Sequence, residues 1–174
     1  MAEGYKWLAL GYNVPINPSR NRVYIWRKLK EYGAEYYKQG VAVLPHNKGS
    51  LAQFKALLTK IREMGGEASI IEMRFLNSAD EAEMVARFKN QTISDFTELL
   101  MDCSRLMEDM RRHRELTEAI EADDRLRKMI RRYGKLKSKD HFKAGDQRRE
   151  DEGLGELAKA MKWSGSELRK LLDK

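Results

Sequence analysis

The first 77 residues alternate between short apolar runs and amphipathic stretches, and this alternation limits the possible folds more than any other feature of the chain. The run from Trp7 to Val14, which Pro15 closes, is short and largely apolar, and it predicts a first strand. The segment Asn17-Pro18-Ser19 then predicts a helix start. Apolar residues recur at every third position of this helix until the stop at Gly33, namely Val23, Trp26 and Leu29. This spacing predicts an amphipathic helix with these residues inside and its charges outside.

The same alternation continues to the end of this segment. From Ala34 to His46, aromatic and β-branched residues surround Gly40, which predicts either two short strands or one bent strand. An amphipathic helix follows and ends at Gly65-Gly66, with apolar residues Leu51, Phe54, Leu57, Leu58 and Ile61. The run from Ile70 to Phe75 predicts a last strand. The order βαββαβ predicts an α+β class domain with the ferredoxin-like arrangement, in which two helices cover one face of a four-stranded antiparallel sheet.

The second half of the chain has helical periodicity. Apolar residues with heptad spacing predict one long helix, and they are Phe96, Leu99, Cys103, Leu106 and Met110. A second set predicts another helix that packs antiparallel to the first and ends near Gly134, and its members are Ile120, Leu126, Met129, Ile130, Tyr133 and Leu136. Residues 137–153 are polar and predict a connection before a short terminal helix from Leu154. We therefore divide the chain into a ferredoxin-like domain, 1–77, and a helical extension, 78–174.

The charge of the chain is arranged in blocks. The net charge is +7 and the isoelectric point is about 9.4, which favours an anionic partner. Residues 1–77 carry 12 basic and 6 acidic side chains, residues 78–124 carry 6 and 13, and residues 125–149 carry 11 and 2. The acidic and the basic helix of the second half can also face each other and neutralise their charges. The distribution leaves both interpretations open.

Several classes of protein lose support from what the sequence lacks. No stretch approaches 18 consecutive apolar residues and no signal-peptide pattern occurs, so we expect a cytoplasmic protein without a membrane partner. Cys103 is the only cysteine, so an intrachain disulfide is impossible. The three histidines lie far apart without metal-ligand spacing, and no nucleotide-binding or nucleophile motif occurs. We therefore predict no catalytic residues, no metal site and no cofactor, and a protein that is not an enzyme.

The C-terminal segment has an apolar spacing that partly matches a helix-turn-helix, carried by Leu157, Ala158, Met161, Trp163, Leu168 and Leu171. Lys162 stands where the turn usually has glycine, and about 20 residues are too few for the usual supporting helices. The alternative is a plain amphipathic helix interrupted at Ser164-Gly165.

A family resemblance is carried by the run WLALGYNVPINPSRNRVYIWRKLKEYGAEYYKQGVAVLPHN, which resembles the opening of ChrB, the chromate-resistance regulator. Its most specific part is PSRNRVYIWRKL, and the resemblance continues through GGEASIIEMRFL, ARFKN and LRKMIRRYGKLKSKDHF. It implies a transcriptional regulator, usually a repressor of chromate-efflux genes, that releases DNA on sensing the oxyanion. The second domain that follows in complete ChrB proteins is not covered, and none of its activities is carried over.

The βαββαβ opening also resembles, more distantly, the central domain of the phenylacetate repressor PaaX and the small subunit of the CRISPR spacer-integration complex. These resemblances imply a homodimer that handles nucleic acid. In the CRISPR subunit an aspartate near the end of the first strand is the proposed metal ligand, and here that position is Asn13. Because a neutral amide does not replace a carboxylate on a divalent cation, a metal-dependent nuclease is disfavoured.

Two clusters of basic residues are the candidate anion or DNA-binding sites. The first surrounds the start and outer face of the first helix and consists of Arg20, Arg22, Arg27 and Lys28, whose arginine forks suit an oxyanion or a phosphate. Pairing with Glu31 or Glu35 is the alternative role. The second cluster can track a DNA backbone and consists of Arg127, Lys128, Arg131 and Arg132, followed by Lys135, Lys137 and Lys139.

Two functional hypotheses follow from these features. The first is a DNA-binding transcriptional regulator of chromate-resistance genes with an oxyanion effector such as chromate. The second is a dimeric protein-interaction module without DNA affinity, which pairs through an edge strand of its sheet. Surface charge discriminates between them: a continuous face formed by the two basic segments favours DNA, and coverage of these segments by the acidic helix favours the interaction module.

Overall fold

The computed structural model of the protein describes residues 5–112, 116–145, 152–156 and 159. The chain forms two compact units, Met1–Phe88 and Lys89–Lys174, which divide within a single long helix. Within the described residues, no helix is both long enough and apolar enough to span a membrane.

The first unit is built on a four-stranded antiparallel sheet. Its elements, in chain order, are β1 (Trp7–Asn13), α1 (Ser19–Tyr32), β2 (Glu35–Lys38), β3 (Val41–Pro45), α2 (Lys48–Glu63) and β4 (Glu67–Met73). The strands lie in the order β2-β3-β1-β4, and Ala9 of β1 stands opposite Val43 of β3 and Ile71 of β4. The segment around Gly40 forms two strands, and Gly40 has a φ of 73° in the turn between them, where a side chain would be strained. The predicted mixed α and β architecture with an antiparallel sheet is confirmed.

The two faces of the sheet are covered by different helices. Leu8 and Leu10 of β1 are buried on one face, with the buried side chains of α1 and α2 packed over it. On the other face, Trp7 contacts the rings of Phe75 and Phe88, and its indole N–H donates to Glu81 Oε1 at 2.8 Å. The first turns of the long helix are therefore fixed to the sheet by packing and by one buried polar contact.

Helix α1 buries a different stripe from the predicted one. Ile25 and Leu29 are each 1% exposed, whereas Val23 and Trp26 are 45% and 48% exposed. Because an α-helix turns by about 100° per residue, a strict three-residue spacing rotates by about 60° at each step and leaves the buried stripe. The predicted stop at Gly33 is confirmed, since Gly33 has a φ of 67° and its N–H bonds back to the carbonyls of the last turn.

The second unit is an antiparallel helical pair formed by α3 (Ser78–Arg112) and α4 (Leu116–Lys139). The predicted heptad positions of α3 from Phe96 to Leu106 are buried, and they pack against Ala122, Leu126, Ile130, Tyr133 and Leu136 of α4. Helix α4 continues past Gly134 to Lys139. Residues 152–156 are helical, and Leu154 is buried in the same core.

Most of the terminal segment lies outside the described residues. This applies to the candidate helix-turn-helix positions Leu157, Ala158, Met161, Trp163, Leu168 and Leu171. The helix-turn-helix and the plain amphipathic helix both stay predictions.

Candidate functional site

The basic residues of α1 are exposed, and most of them have no acidic partner. Arg20, Arg22 and Arg27 form no ion pair in the described part of the chain, while Lys28 Nζ lies 2.9 Å from Glu31 Oε2. The first turn of α1 carries no acidic residue. The hydrogen bond to Glu31 raises the pKa of Lys28, which keeps this lysine charged. Three of the four predicted residues therefore keep their charge available for an external anion.

A row of side chains runs along the outer surface of α1, and we call it the α1 outer row: Arg20, Val23, Arg27 and Lys30. The spacings of three, four and three residues place the row on one side of the helix, opposite Ile25 and Leu29. Trp26 lies beside the row, with Lys30 Nζ 4.9 Å from the centre of its ring. The surface thus combines positive charge with exposed apolar area.

Arg22 lies on the flank of α1 that is nearer to the sheet. It interacts electrostatically with Tyr12, whose hydroxyl is 3.0 Å from that of Tyr36. Burial and this hydrogen bond raise the pKa of Tyr12, and the positive charge of Arg22 opposes the rise. Arg22 is therefore separate from the α1 outer row.

The basic residues of α4 differ from the arginines of α1, because most of them are paired with carboxylates. Within α4, Arg127 bonds to Asp123 at 2.8 Å and Lys128 to Asp124 at 2.6 Å, four residues apart in each case. The hydrogen bond from Lys128 lowers the pKa of Asp124, which keeps that carboxyl ionised. Both predicted cations are therefore locally neutralised.

Three ion pairs join α4 to the acidic face of α3, and we call them the α3–α4 ladder. They are Arg125–Asp109 at 2.9 Å, Arg132–Asp102 at 2.7 Å and Lys139–Asp95 at 2.5 Å. The partners advance by seven residues on one helix while they fall by seven on the other, as antiparallel heptad packing requires. Arg132 also lies 2.8 Å from Glu98, so this predicted DNA contact has two carboxylate partners.

The remaining cations of α4 lie in its second half. Arg131 and Lys135 are exposed and form no ion pair in the residues that the structure describes. Lys137 Nζ lies 5.3 Å from the centre of the Tyr133 ring. Of Arg127, Lys128, Arg131 and Arg132, Arg131 is thus the member without an ion pair in the described residues, and Lys135 resembles it in this respect.

A groove of about 350 Å³ opens between α3 and α4 beside this ladder. Its lining consists of Asp102, Arg105, Arg125, Lys128, Met129 and Arg132. The four cations converge on one space, and all four contact carboxylates: Arg105 with Asp102 at 3.4 Å, and the others as described above. An anion in the groove would therefore have to compete with exposed ion pairs, which are individually weak.

The lone thiol is buried in the α3–α4 interface. Cys103 is 3% exposed, and its Sγ lies 3.8 Å from Met129 Sδ. Burial raises the pKa of the thiol to about 11, so the nucleophilic thiolate is scarce at neutral pH. In the described ranges, no group of three His, Cys, Asp or Glu side chains is arranged to hold a metal ion.

Sequence reasoning identified the segments that carry the charge but missed features that depend on helix phase and register. It grouped Arg20, Arg22, Arg27 and Lys28 on one helix, but it placed Val23 and Trp26 in the core and left out Lys30. The exposure of Val23 and Trp26 could have been inferred from the sequence, because a strict three-residue spacing rotates around the helix axis and leaves the buried stripe. The partners of Arg132 lie on another helix, so only the helix–helix register reveals them.

Comparison with known proteins gives one consistent result. The family model described as Protein ChrB, N-terminal, matches residues 22–167 of the chain. A curated protein named Protein ChrB, from Cupriavidus metallidurans, is 28% identical over 98 residues, which cover 56% of this chain and 30% of that protein. The chain thus spans less than a third of that relative in the matched region, and no solved structure matches it. Because the family model covers most of the chain, the protein belongs to the ChrB N-terminal family.

Proposed function

We propose that this protein is a DNA-binding transcriptional regulator of chromate-resistance genes that acts in the cytoplasm as a homodimer and catalyses no reaction. The observation that carries the proposal is the set of three unpaired arginines on the surface of α1, Arg20, Arg22 and Arg27. Exposed cations without carboxylate partners are the groups that replace counterions along a DNA backbone. The name of the relative, Protein ChrB, supports the link to chromate resistance.

The fold and the nature of the effector are part of the same proposal. The order β2-β3-β1-β4, with α1 and α2 on one face, supports a ferredoxin-like assignment for the first unit. The effector is an oxyanion of the size of chromate, for which the groove between α3 and α4 offers four converging cations. Its binding would draw Arg125 away from Asp109, and so loosen the ladder between the helices.

A second candidate function is a dimeric interaction module without DNA affinity. The exposed apolar side chains on α1, Val23 and Trp26, favour it, because a protein partner can cover such area. The neutralised charges of α4 are also compatible with a protein-facing surface.

Fluorescence anisotropy distinguishes the two functions. The protein is titrated with the duplex found upstream of its own gene and with a scrambled duplex of equal length, at low and moderate salt, with and without chromate. The regulator binds the upstream duplex more tightly and chromate weakens that binding, whereas sulfate at the same concentration controls for ionic strength. Equal, salt-sensitive binding to both duplexes contradicts regulation, and absence of binding to either supports the interaction module.

A further inference from the structure

The apolar side chains on the outer surface of α1 require an explanation that phosphate binding does not provide. Cations alone neutralise a DNA backbone, and apolar groups add nothing to that term. Yet Val23 is 45% exposed, Trp26 is 48% exposed, and Tyr24 beside them is 37% exposed. Exposed apolar residues that interrupt a cationic row are typical of a surface that contacts more than phosphates.

The chemistry of base edges matches this combination of side chains. An arginine fork binds the O6 and N7 atoms of guanine, and a small apolar side chain contacts the methyl group of thymine. The α1 outer row offers Arg20, Arg27 and Lys30 with Val23 between the two arginines. Both kinds of base contact are therefore available on one side of one helix.

The dimensions of α1 also suit a groove of duplex DNA. The helix has 14 residues, and the row from Arg20 to Lys30 covers ten residue steps, or about 15 Å. The major groove is about 12 Å wide and admits an α-helix. The contact between Lys30 and the Trp26 ring orients the indole beside the row.

The charge of the row argues against a second copy of this chain as its occupant. The row contains three cations and no acidic residue, so two copies placed face to face would bring like charges together. The acidic residue of the neighbouring surface, Glu31, is already bonded to Lys28. A negatively charged partner is complementary to the row, and a duplex supplies both the charge and the base edges.

We propose that α1 is the recognition helix of this protein, and that the α1 outer row enters the major groove of duplex DNA with Arg27 and Val23 contacting base edges. This inference rests on the proposed DNA-binding function and adds the element that reads the sequence.

The test uses substitutions that leave the net charge unchanged. Val23→Ala, Trp26→Ala and Arg27→Lys each keep the charge of α1, and Arg27→Lys removes the planar fork alone. Ile93→Ala, at a 50% exposed apolar position of α3, is the matched control. Thermal melting verifies that the variants are folded, and light scattering reports their oligomeric state.

We expect Arg27→Lys to lower the preference for the upstream over the scrambled duplex by about 5-fold to 100-fold, as loss of a bidentate base contact does. Val23→Ala and Trp26→Ala remove apolar area only and should lower this preference by a smaller factor. In the α1 variants, the affinity for the scrambled duplex and its salt dependence should stay unchanged. The control variant Ile93→Ala should change neither the preference nor the affinity. An unchanged preference in all three α1 variants overturns the inference while leaving DNA-binding regulation intact. Dissociation of a dimer in the Trp26→Ala variant also overturns it, because Trp26 would then contact a second copy of the chain. A wild-type protein without any preference refutes the proposed function itself, and the recognition helix with it.

Discussion

Helices α1 and α4 are both rich in arginine and lysine but differ in surface chemistry. Each buries one apolar stripe and turns several arginines and lysines outwards. On α4 the carboxylates stand one turn before the cations or at matching heptad positions of α3, so most charges are paired. On α1 an ion pair joins Lys28 to Glu31, and the arginines form no ion pair with any residue that the structure describes. The position of the acids, and not the number of bases, decides which helix leaves its cations unpaired.

The largest expected effect comes from opening the α3–α4 interface, which would separate the acids of α3 from their cation partners on α4. Leu126 is fully buried between the helices, and Leu126→Ala should lower the free energy of unfolding by about 2–5 kcal/mol. Urea denaturation measures the loss, and Lys135→Ala at an exposed position of the same helix serves as the control. A loss below about 1 kcal/mol would mean that packing does not hold the two helices together.

The reactivity of Cys103 reports whether that interface stays closed. Its pKa is raised to about 11 from the ordinary value of 9.0, so the thiolate fraction near pH 8 is about 100-fold smaller than in the unfolded chain. Alkylation by iodoacetamide should be slower by at least this factor in the folded protein. Its rate should rise with pH up to about 11 instead of levelling off near 9. Rapid labelling at pH 8 would contradict a closed interface.

A smaller effect is expected from breaking one rung of the α3–α4 ladder. Asp102→Asn removes the carboxylate between Arg132 and Arg105, and both pairs are partly exposed to solvent. We expect the free energy of unfolding to fall by about 0.5–1 kcal/mol, and the loss to shrink in 1 M salt. Glu83→Gln, an exposed acid of α3 in the first unit, controls for the change in net charge. Equal losses at low and high salt would rule out an electrostatic role.

The smallest effect is expected from removing carboxylate partners within α4, so that its cations become more like the arginines of α1. Asp123→Asn with Asp124→Asn removes the carboxylates that bond to Arg127 and Lys128, and the cost in stability should be small because both pairs are exposed to solvent. Affinity for the scrambled duplex should rise several-fold at low salt, since two more cations can meet phosphates. An unchanged affinity in anisotropy titrations would indicate that this face of α4 does not approach DNA.

The sequence predicted those parts of the structure that depend on neighbouring residues. The heptad spacing located the core of α3, and the glycines at 33 and 40 marked a helix end and a turn. The orientation of Val23 and Trp26 was predicted wrongly, because the rotation of a three-residue spacing must be followed through the whole helix. The partners of Arg125 and Arg132 were out of reach, because α3 and α4 must be aligned before Asp109 and Asp102 can be assigned to them.

The most direct test of the account compares two charge-matched triple variants by the salt dependence of their DNA affinity. One carries Arg20→Gln, Arg22→Gln and Arg27→Gln on α1, and the other carries Arg125→Gln, Arg127→Gln and Lys128→Gln on α4. Both lose three positive charges, so a general effect of net charge is the same in each. Anisotropy titrations of the scrambled duplex from about 50 to 200 mM salt give the slope of affinity against salt for both variants and the wild type.

The account predicts that the α1 variant reduces this slope by about 1 to 2 units, because about 0.9 unit is lost for each phosphate contact removed and Arg22 lies apart from the α1 outer row. The α4 variant should reduce it by less than about 1 unit, since its cations are bonded to carboxylates. An α4 variant that loses as much slope as the α1 variant, or more, would contradict the claim that unpaired arginines on α1 form the DNA-binding surface.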